Sequence, residues 1–280
     1  MKILCLDGGG VFGKIQSRIV KQSGCTDKFD AYVGTSIGGA LSIGYALGNE
    51  EAVCPKFFDE WMPVVFNGNW FRKNLNFFVP KYSEKGLNRA LKAAFGPAAF
   101  FGDCKKPCFV TAARIGTRAL KVFSSLDVDD SAKLAWEVAR SATAAETYFP
   151  SWNGYMDGGI FANNPSMVGV AAASRTLGVK LDELEVFSIG TGKASPSVAY
   201  PHGRITTALW VVRAMLDGAS DTMHEYFVRS LPLKKFKRIQ FAQEPCWQMD
   251  CVKDMNRAEI FWKEGINEAA EALKEFCAEG

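Results

Sequence analysis

Three short stretches of this chain carry residue types that can cleave an acyl bond. One is Gly34-Thr35-Ser36-Ile37-Gly38, which follows an apolar run at 29–33 and opens a small-residue run closed by Gly48. A serine on a sharp strand-to-helix turn projects its hydroxyl at the helix N-terminus, where the dipole favours a developing alkoxide. Gly34 and Gly38 relieve the crowding of such a turn, and the Ile37 N–H is a ready oxyanion donor. Another is Asp7-Gly8-Gly9-Gly10-Val11-Phe12-Gly13-Lys14. Here the N–H groups of Gly8, Gly9 and Gly10 can point into one concavity with no side chain in the way, and the helix that follows adds a partial positive charge. That concavity suits a phosphate or a transient oxyanion equally. The third runs from Asp157-Gly158-Gly159 to Asn164-Pro165, an aspartate on a tight turn before a capped helix. A serine nucleophile needs a base, and burial would strengthen a carboxylate whose ordinary pKa is about 3.9.

Each stretch admits another reading. Gly8-x4-Gly13-Lys14 matches most of a nucleotide-binding P-loop, but Ile15 stands where a Ser or Thr hydroxyl should hold magnesium. A phosphate grip of the sugar-kinase or actin type is also rich in Asp-Gly-Gly, so a non-enzymatic nucleotide-binding or signalling module is a rival. Ser36, Asp157 and then His202 or His224 follow the chain order of an α/β-hydrolase triad. Those two are the chain's only histidines; His202 lies in a Pro-His-Gly turn and His224 in a helical pattern. Asp157 could also do no more than stabilise its turn. Cys104/Cys108 and Cys246/Cys251 are loosely spaced for zinc, and separate buried thiols fit the eight scattered cysteines better.

The elements that must hold these stretches alternate between strand and helix. Strands are expected at 3–6, 29–33, 109–115, 120–125 and 186–189. Helices are expected at 14–22, 37–47, from Ser83 to Gly96, at 132–143, and from Pro165 under an Asn164 cap to Gly178; helical patterns also fill 204–229 and 254–277. This alternation predicts an α/β fold with a parallel or mixed sheet covered on both faces, in which ligands collect where strands end and helices begin. The stretch 57–82 breaks the rhythm with Phe57, Phe58, Trp61, Phe66, Trp70, Phe71, Phe77, Phe78 and Tyr82. It reads as a subdomain packing its own aromatics, or as a lid or mouth that meets lipid beside Arg72 and Lys73. Lys234-Lys235-Phe236-Lys237-Arg238 reads as a solvated loop or strand edge, with contact to anionic head groups as the sharper alternative.

With 280 residues, 48% hydrophobic and 22% charged, the chain has a globular composition and the material for a large core. A net charge of +3, from 33 basic and 30 acidic residues, argues against a nucleic-acid partner. No apolar run reaches the length needed to span a bilayer, and the N-terminus lacks a signal-peptide core, so a cytoplasmic location is expected.

Taken together and in this order, the three stretches resemble the patatin-like phospholipases. Ser141 to Pro150 and Phe187-Ser-Ile-Gly-Thr-Gly192 are similar to the family as well, and the likeness covers roughly 1–192. The resemblance implies a three-layer α/β/α fold, a single domain over 1–280 with 193–280 as its helical C-terminal part, and a Ser36–Asp157 dyad. It places the oxyanion hole at Gly8, Gly9 and Gly10 and implies acyl-ester substrates, phospholipids among them, at a membrane surface. It implies no metal or other cofactor. One departure is Phe12, where the family often has Arg or Lys, and that weakens the case for an anionic head group over a neutral ester. Another is Glu146, in place of a small residue or proline.

Overall fold

The computed structural model describes residues 1–68, 79–145, 147–194, 220–244 and 246–279, together with 203, 207, 210, 211 and 214. The central sheet has seven strands: β1 (Lys2–Leu6), β2 (Ala31–Thr35), β3 (Cys108–Arg114), β4 (Ala119–Ser124), β5 (Tyr155–Asp157), β6 (Glu185–Ile189) and β7 (Lys235–Ile239). Their order is β4-β3-β2-β1-β6-β7, with β5 added to β3. The run β3-β2-β1-β6-β7 is parallel, while β4 and β5 run antiparallel to β3. Central strands buried on both faces read as unbroken apolar runs. In β1, Ile3 to Leu6 is buried throughout.

Side chains alternate across the sheet and so feed two cores. Leu4, Leu6 and Tyr32 point to a large apolar layer. Its helices are α1 (Gly13–Ser23), α2 (Ile37–Ala46), α3 (Pro55–Val65), α4 (Glu84–Phe95), α5 (Ala135–Ala142), α8 (Val252–Phe261) and α9 (Lys263–Ala278). Ile3, Cys5 and Val33 point the other way, onto α6 (Ser166–Thr176) and Val228 of α7 (Met223–Ser230). This is the expected three-layer α/β/α arrangement. Among the described residues no helix is long and apolar enough to cross a membrane.

Several local expectations change. Part of 57–82 belongs to the main core: α3 starts at Pro55 and buries Phe58, Met62 and Val65, while Phe66 packs on Tyr82 and Phe149 at 5.2 and 5.8 Å. Trp70, Phe71, Arg72, Lys73, Phe77 and Phe78 lie outside the described residues. The stretch 193–280 is not only helical, because β7 forms an edge of the main sheet and Lys193–Ala194 pairs with Ala242–Gln243. The helical pattern at 254–277 forms two helices, divided at Trp262. Of 204–229, the described helix is α7; most of 204–219 lies outside the described residues. Pro165, not Asn164, occupies the cap position of the next helix and precedes its first residue, while Asn164 Oδ1 accepts the Ser166 N–H at 3.0 Å from one residue earlier.

Candidate active site

Ser36 sits between β2 and α2 with φ 53° and ψ −125°, a backbone state that side chains other than glycine rarely adopt. Close packing forces the turn. A methyl group at Gly34 would collide with the Gly38 carbonyl, and one at Gly38 with the Leu6 carbonyl, so both positions need hydrogen as the side chain. The elbow therefore presses directly on the end of β1, from which the glycine loop departs. Ser36 is half-buried at the head of an α2 whose remaining residues are almost all buried.

Asp157 reaches this point by strand register. Thr35, the last residue of β2, pairs with Thr111 of β3. The next residue of β3, Ala112, pairs with Asp157 of β5. One edge of β3 thus receives β2 and β5 end to end, which sets the serine turn against the aspartate turn. The Thr35 and Thr111 hydroxyls lock the junction at 2.7 Å. The Asp157 N–H donates to the Ala144 carbonyl at 3.0 Å, within the stretch Ser141–Pro150. Its carboxylate accepts the Gly159 N–H at 2.8 Å. Burial raises Asp157 from its ordinary value to about 6, against the pull of the Ser36 hydroxyl and the Gly159 N–H.

The glycine loop lies over the serine: a side chain at Gly8 would begin 3.2 Å from Ser36 Cβ. The loop is held by backbone bonds. Gly8 N–H donates to the Asn163 carbonyl at 3.1 Å and Val11 N–H to the Met249 carbonyl at 2.8 Å. Thr191 Oγ1 donates to the Gly8 carbonyl at 2.6 Å. The Gly8 N–H is therefore spent within the fold. Among the described residues no acceptor meets the N–H groups of Gly9 and Gly10, both of which reach the surface. Gly13 packs against Ile37, with 2.5 Å from a would-be methyl to Ile37 Cγ1. Gly158 lies against Thr111 and Gly159 opens the short helix that follows Asp157.

Other sequence readings fare differently. Lys14 is turned away from the loop and buried, its Nζ 2.6 Å from Asp59 and 2.7 Å from Glu259. An ammonium committed to two carboxylates does not serve as a phosphate grip, so the P-loop reading loses its lysine. His224 Nδ1 lies 2.9 Å from the Asn164 carbonyl, and burial lowers its pKa. Among the described residues no hydrogen bond joins His224 to Ser36 or Asp157. His202 and Glu146 lie outside the described residues. No cluster of three or more His, Cys, Asp or Glu among those residues is placed to share a metal ion. Phe12 is buried between Trp247 and Trp262, each 6.2 Å away, so this position belongs to an aromatic cluster.

Arg238 was hidden from sequence reasoning by its basic neighbours. Its side chain is 1% exposed, while Lys234 pairs with Glu185 and Lys235 with Glu279. The run 234–238 is thus an edge strand that turns Arg238 inward and leaves Lys234 and Lys237 exposed.

Comparison with known proteins points the same way. The profile of the patatin-like phospholipases matches residues 4–169. The chain is 29% identical over 233 residues to the 85/88 kDa calcium-independent phospholipase A2 of Rattus norvegicus, covering 70% of this chain and 28% of that protein. It is 26% identical over 228 residues to a cGAMP-activated phospholipase of Vibrio cholerae serotype O1, covering 68% and 64%. It is 26% identical to patatin-like protein 4 of Arabidopsis thaliana, covering 74% and 63%. The chain thus spans between about a quarter and two thirds of these relatives' lengths. Among solved structures, VipD from Legionella pneumophila shares the fold, with a TM-score of 0.52 at 12% identity over 97% of this chain and 66% of that one.

Proposed function

The chain belongs to the patatin-like phospholipase family, and from that premise we propose that it hydrolyses fatty-acyl esters of lipids through a Ser36 acyl-enzyme with Asp157 as general base. The observation that carries the proposal is the meeting, on one edge of β3, of a strained serine with a buried carboxylate raised to about 6. A base with that affinity is ionised near neutral pH yet still able to hold a proton in transit.

As Ser36 Oγ attacks the ester carbonyl carbon, its proton passes to Asp157. The tetrahedral oxyanion is held by the N–H groups of Gly9 and Gly10, with Ile37 N–H at the head of α2 as a further donor. Collapse breaks the ester C–O bond, and the departing alcohol or lysolipid takes the proton from Asp157. Water then adds to the acyl-enzyme, giving one proton to Asp157, and collapse returns that proton to Ser36 with release of the fatty acid. An apolar cavity of about 30 Å³ adjoins Ile37, among Ala40, Leu41, Phe58, Met62 and Leu87, and suits the first carbons of an acyl chain. Contact with a membrane surface is part of the same reading. Ile260 and Phe261, 77% and 62% exposed, share a face of α8 with exposed Lys253 and Arg257, a mixture suited to a lipid interface.

The test is mass spectrometry of the products from mixed phospholipids and neutral glycerides, with Ser36→Ala as control. Free fatty acid released by the wild type and absent with the control is the expected result. Equal release by both proteins overturns the proposal.

A further inference from the structure

The proposed chemistry leaves one buried cluster unused. Arg238 on β7 stands opposite Ser188 of β6, which stands opposite Cys5 of β1. From there its side chain crosses β6 to the end of β1, at the base of the glycine loop. Nη1 and Nη2 donate to the two Asp7 carboxylate oxygens at 3.1 and 2.6 Å, a bidentate fork. Nη1 also donates to Ser188 Oγ at 2.6 Å, Nη2 to Asp221 at 2.7 Å, and Nε to Glu225 at 3.2 Å. One guanidinium thus serves three carboxylates and a hydroxyl, with its side chain 1% exposed.

Two of those carboxylates lie on the segment 220–225, which also holds the aspartate turn. The Ser220 carbonyl accepts the Asn164 N–H at 2.9 Å, and Ser220 Oγ donates to the Gly159 carbonyl at 2.7 Å. Gly159 in turn donates its N–H to Asp157. We infer that Arg238 is a positioning residue for the hydrolytic site, tying the glycine loop through Asp7 to the Asp157 turn through segment 220–225. This rests on the acyl-hydrolase reading.

The physical case has two parts. Three consecutive glycines bring no side chains to hold their N–H groups toward a substrate. The loop's bonds run through the Gly8 and Val11 N–H groups and the Gly8 and Gly9 carbonyls, and among the described residues none holds the N–H groups of Gly9 and Gly10. The fork on Asp7 fixes the residue that enters the loop, in direction as well as position. In addition, a buried ion cluster is a poor source of stability beside apolar packing of the same volume, whereas its directional bonds specify geometry. Arg238 can act on the reaction only through other groups, so its removal should affect transition-state stabilisation more than substrate binding.

The experiment is steady-state hydrolysis of a soluble acyl ester and the rate of inactivation by a fluorophosphonate, compared in wild type, Arg238→Lys and Asp221→Asn, with thermal melts of each. Lysine keeps the charge and loses the fork, so kcat is expected to fall by about 30-fold, KM to stay within about twofold, and inactivation to slow in parallel with kcat. Asp221→Asn, which leaves the Asp7 fork in place, is expected to lower kcat by about threefold to tenfold. A folded Arg238→Lys protein with kcat within about twofold of wild type and only a lower melting temperature reduces Arg238 to a structural role and overturns the inference. Should Arg238→Lys not fold, an unchanged kcat in Asp221→Asn overturns it equally. A wild type with no Ser36-dependent hydrolysis removes the acyl-hydrolase reading itself, a different outcome from an active wild type that is indifferent to Arg238.

Discussion

Asp7-Gly8-Gly9 and Asp157-Gly158-Gly159 are the same tripeptide, each with its aspartate at or just past the end of a strand and nearly removed from solvent, at 1% and 5% exposure. Their surroundings give the two carboxyls different work. Burial raises Asp7, and Asp221 and Glu225 add to the rise, while the Arg238 fork pulls it back. Burial also raises Asp157, but what opposes it is a serine hydroxyl and one backbone N–H. A carboxylate gripped by a guanidinium anchors a loop. A carboxylate whose mobile neighbour is a hydroxyl can accept a proton from it. The turn chemistry is shared, and the partner brought in from elsewhere in the chain decides the role.

The sharpest way to break this contrast is activity. Asp157→Asn and Ser36→Ala should each lower kcat by a thousandfold or more, to about background, whereas Asp7→Asn should retain measurable Ser36-dependent turnover; inactivity of all three to the same degree would erase the distinction.

Stability should separate the pair less sharply. Holding Asp157 ionised in its buried setting costs about 3 kcal/mol at neutral pH. Asp157→Asn should therefore melt higher, by up to roughly five degrees. Asp7 is also raised by burial, to about 7, but Asp7→Asn sets the relief of that cost against an Arg238 left short of a counter-charge, so it should gain less than Asp157→Asn in a thermal melt.

The acid limb of the activity profile sharpens the picture further. Asp157 must be ionised to act as base, so kcat/KM should rise with pH and reach half its plateau near 6. The linked stability runs the other way. A carboxyl whose folded pKa lies above its unfolded value of 3.8 favours the fold while protonated and loses that contribution as pH rises through about 6. The melting gap between wild type and Asp157→Asn should accordingly close as pH falls toward about 4. The smallest effect is expected at His224, which is engaged by the Asn164 carbonyl. His224→Gln should keep kcat within about threefold of wild type, and a loss comparable to that of Asp157→Asn would restore the triad.

Much of this molecule was legible beforehand. Alternating strands and helices, the serine elbow between Gly34 and Gly38, and the two Asp-Gly-Gly turns are local patterns, because period, turn geometry and crowding act over a few residues. The register that delivers Asp157 to Ser36 was not legible. β5 is three residues long, and its place depends on β2 ending where it does along β3. The place of α3 in the main core was masked because its aromatics read as a subdomain packing on itself or as a lid, and Arg238 was masked by the lysines around it.

The sequence by itself determined which residues are able to do chemistry and which turns they occupy, since hydroxyl, carboxylate and glycine have fixed local capacities. Only the tertiary structure decided how they are used. It spent the Gly8 N–H on Asn163, while those of Gly9 and Gly10 meet no acceptor among the described residues, and it turned Lys14 away from the loop to be buried against Asp59 and Glu259. It also gave Arg238 to one aspartate and set the Ser36 turn beside the other. The reason is that burial and charge pairing are set by neighbours far apart in the chain, and those neighbours meet only when the sheet and its helices close around them.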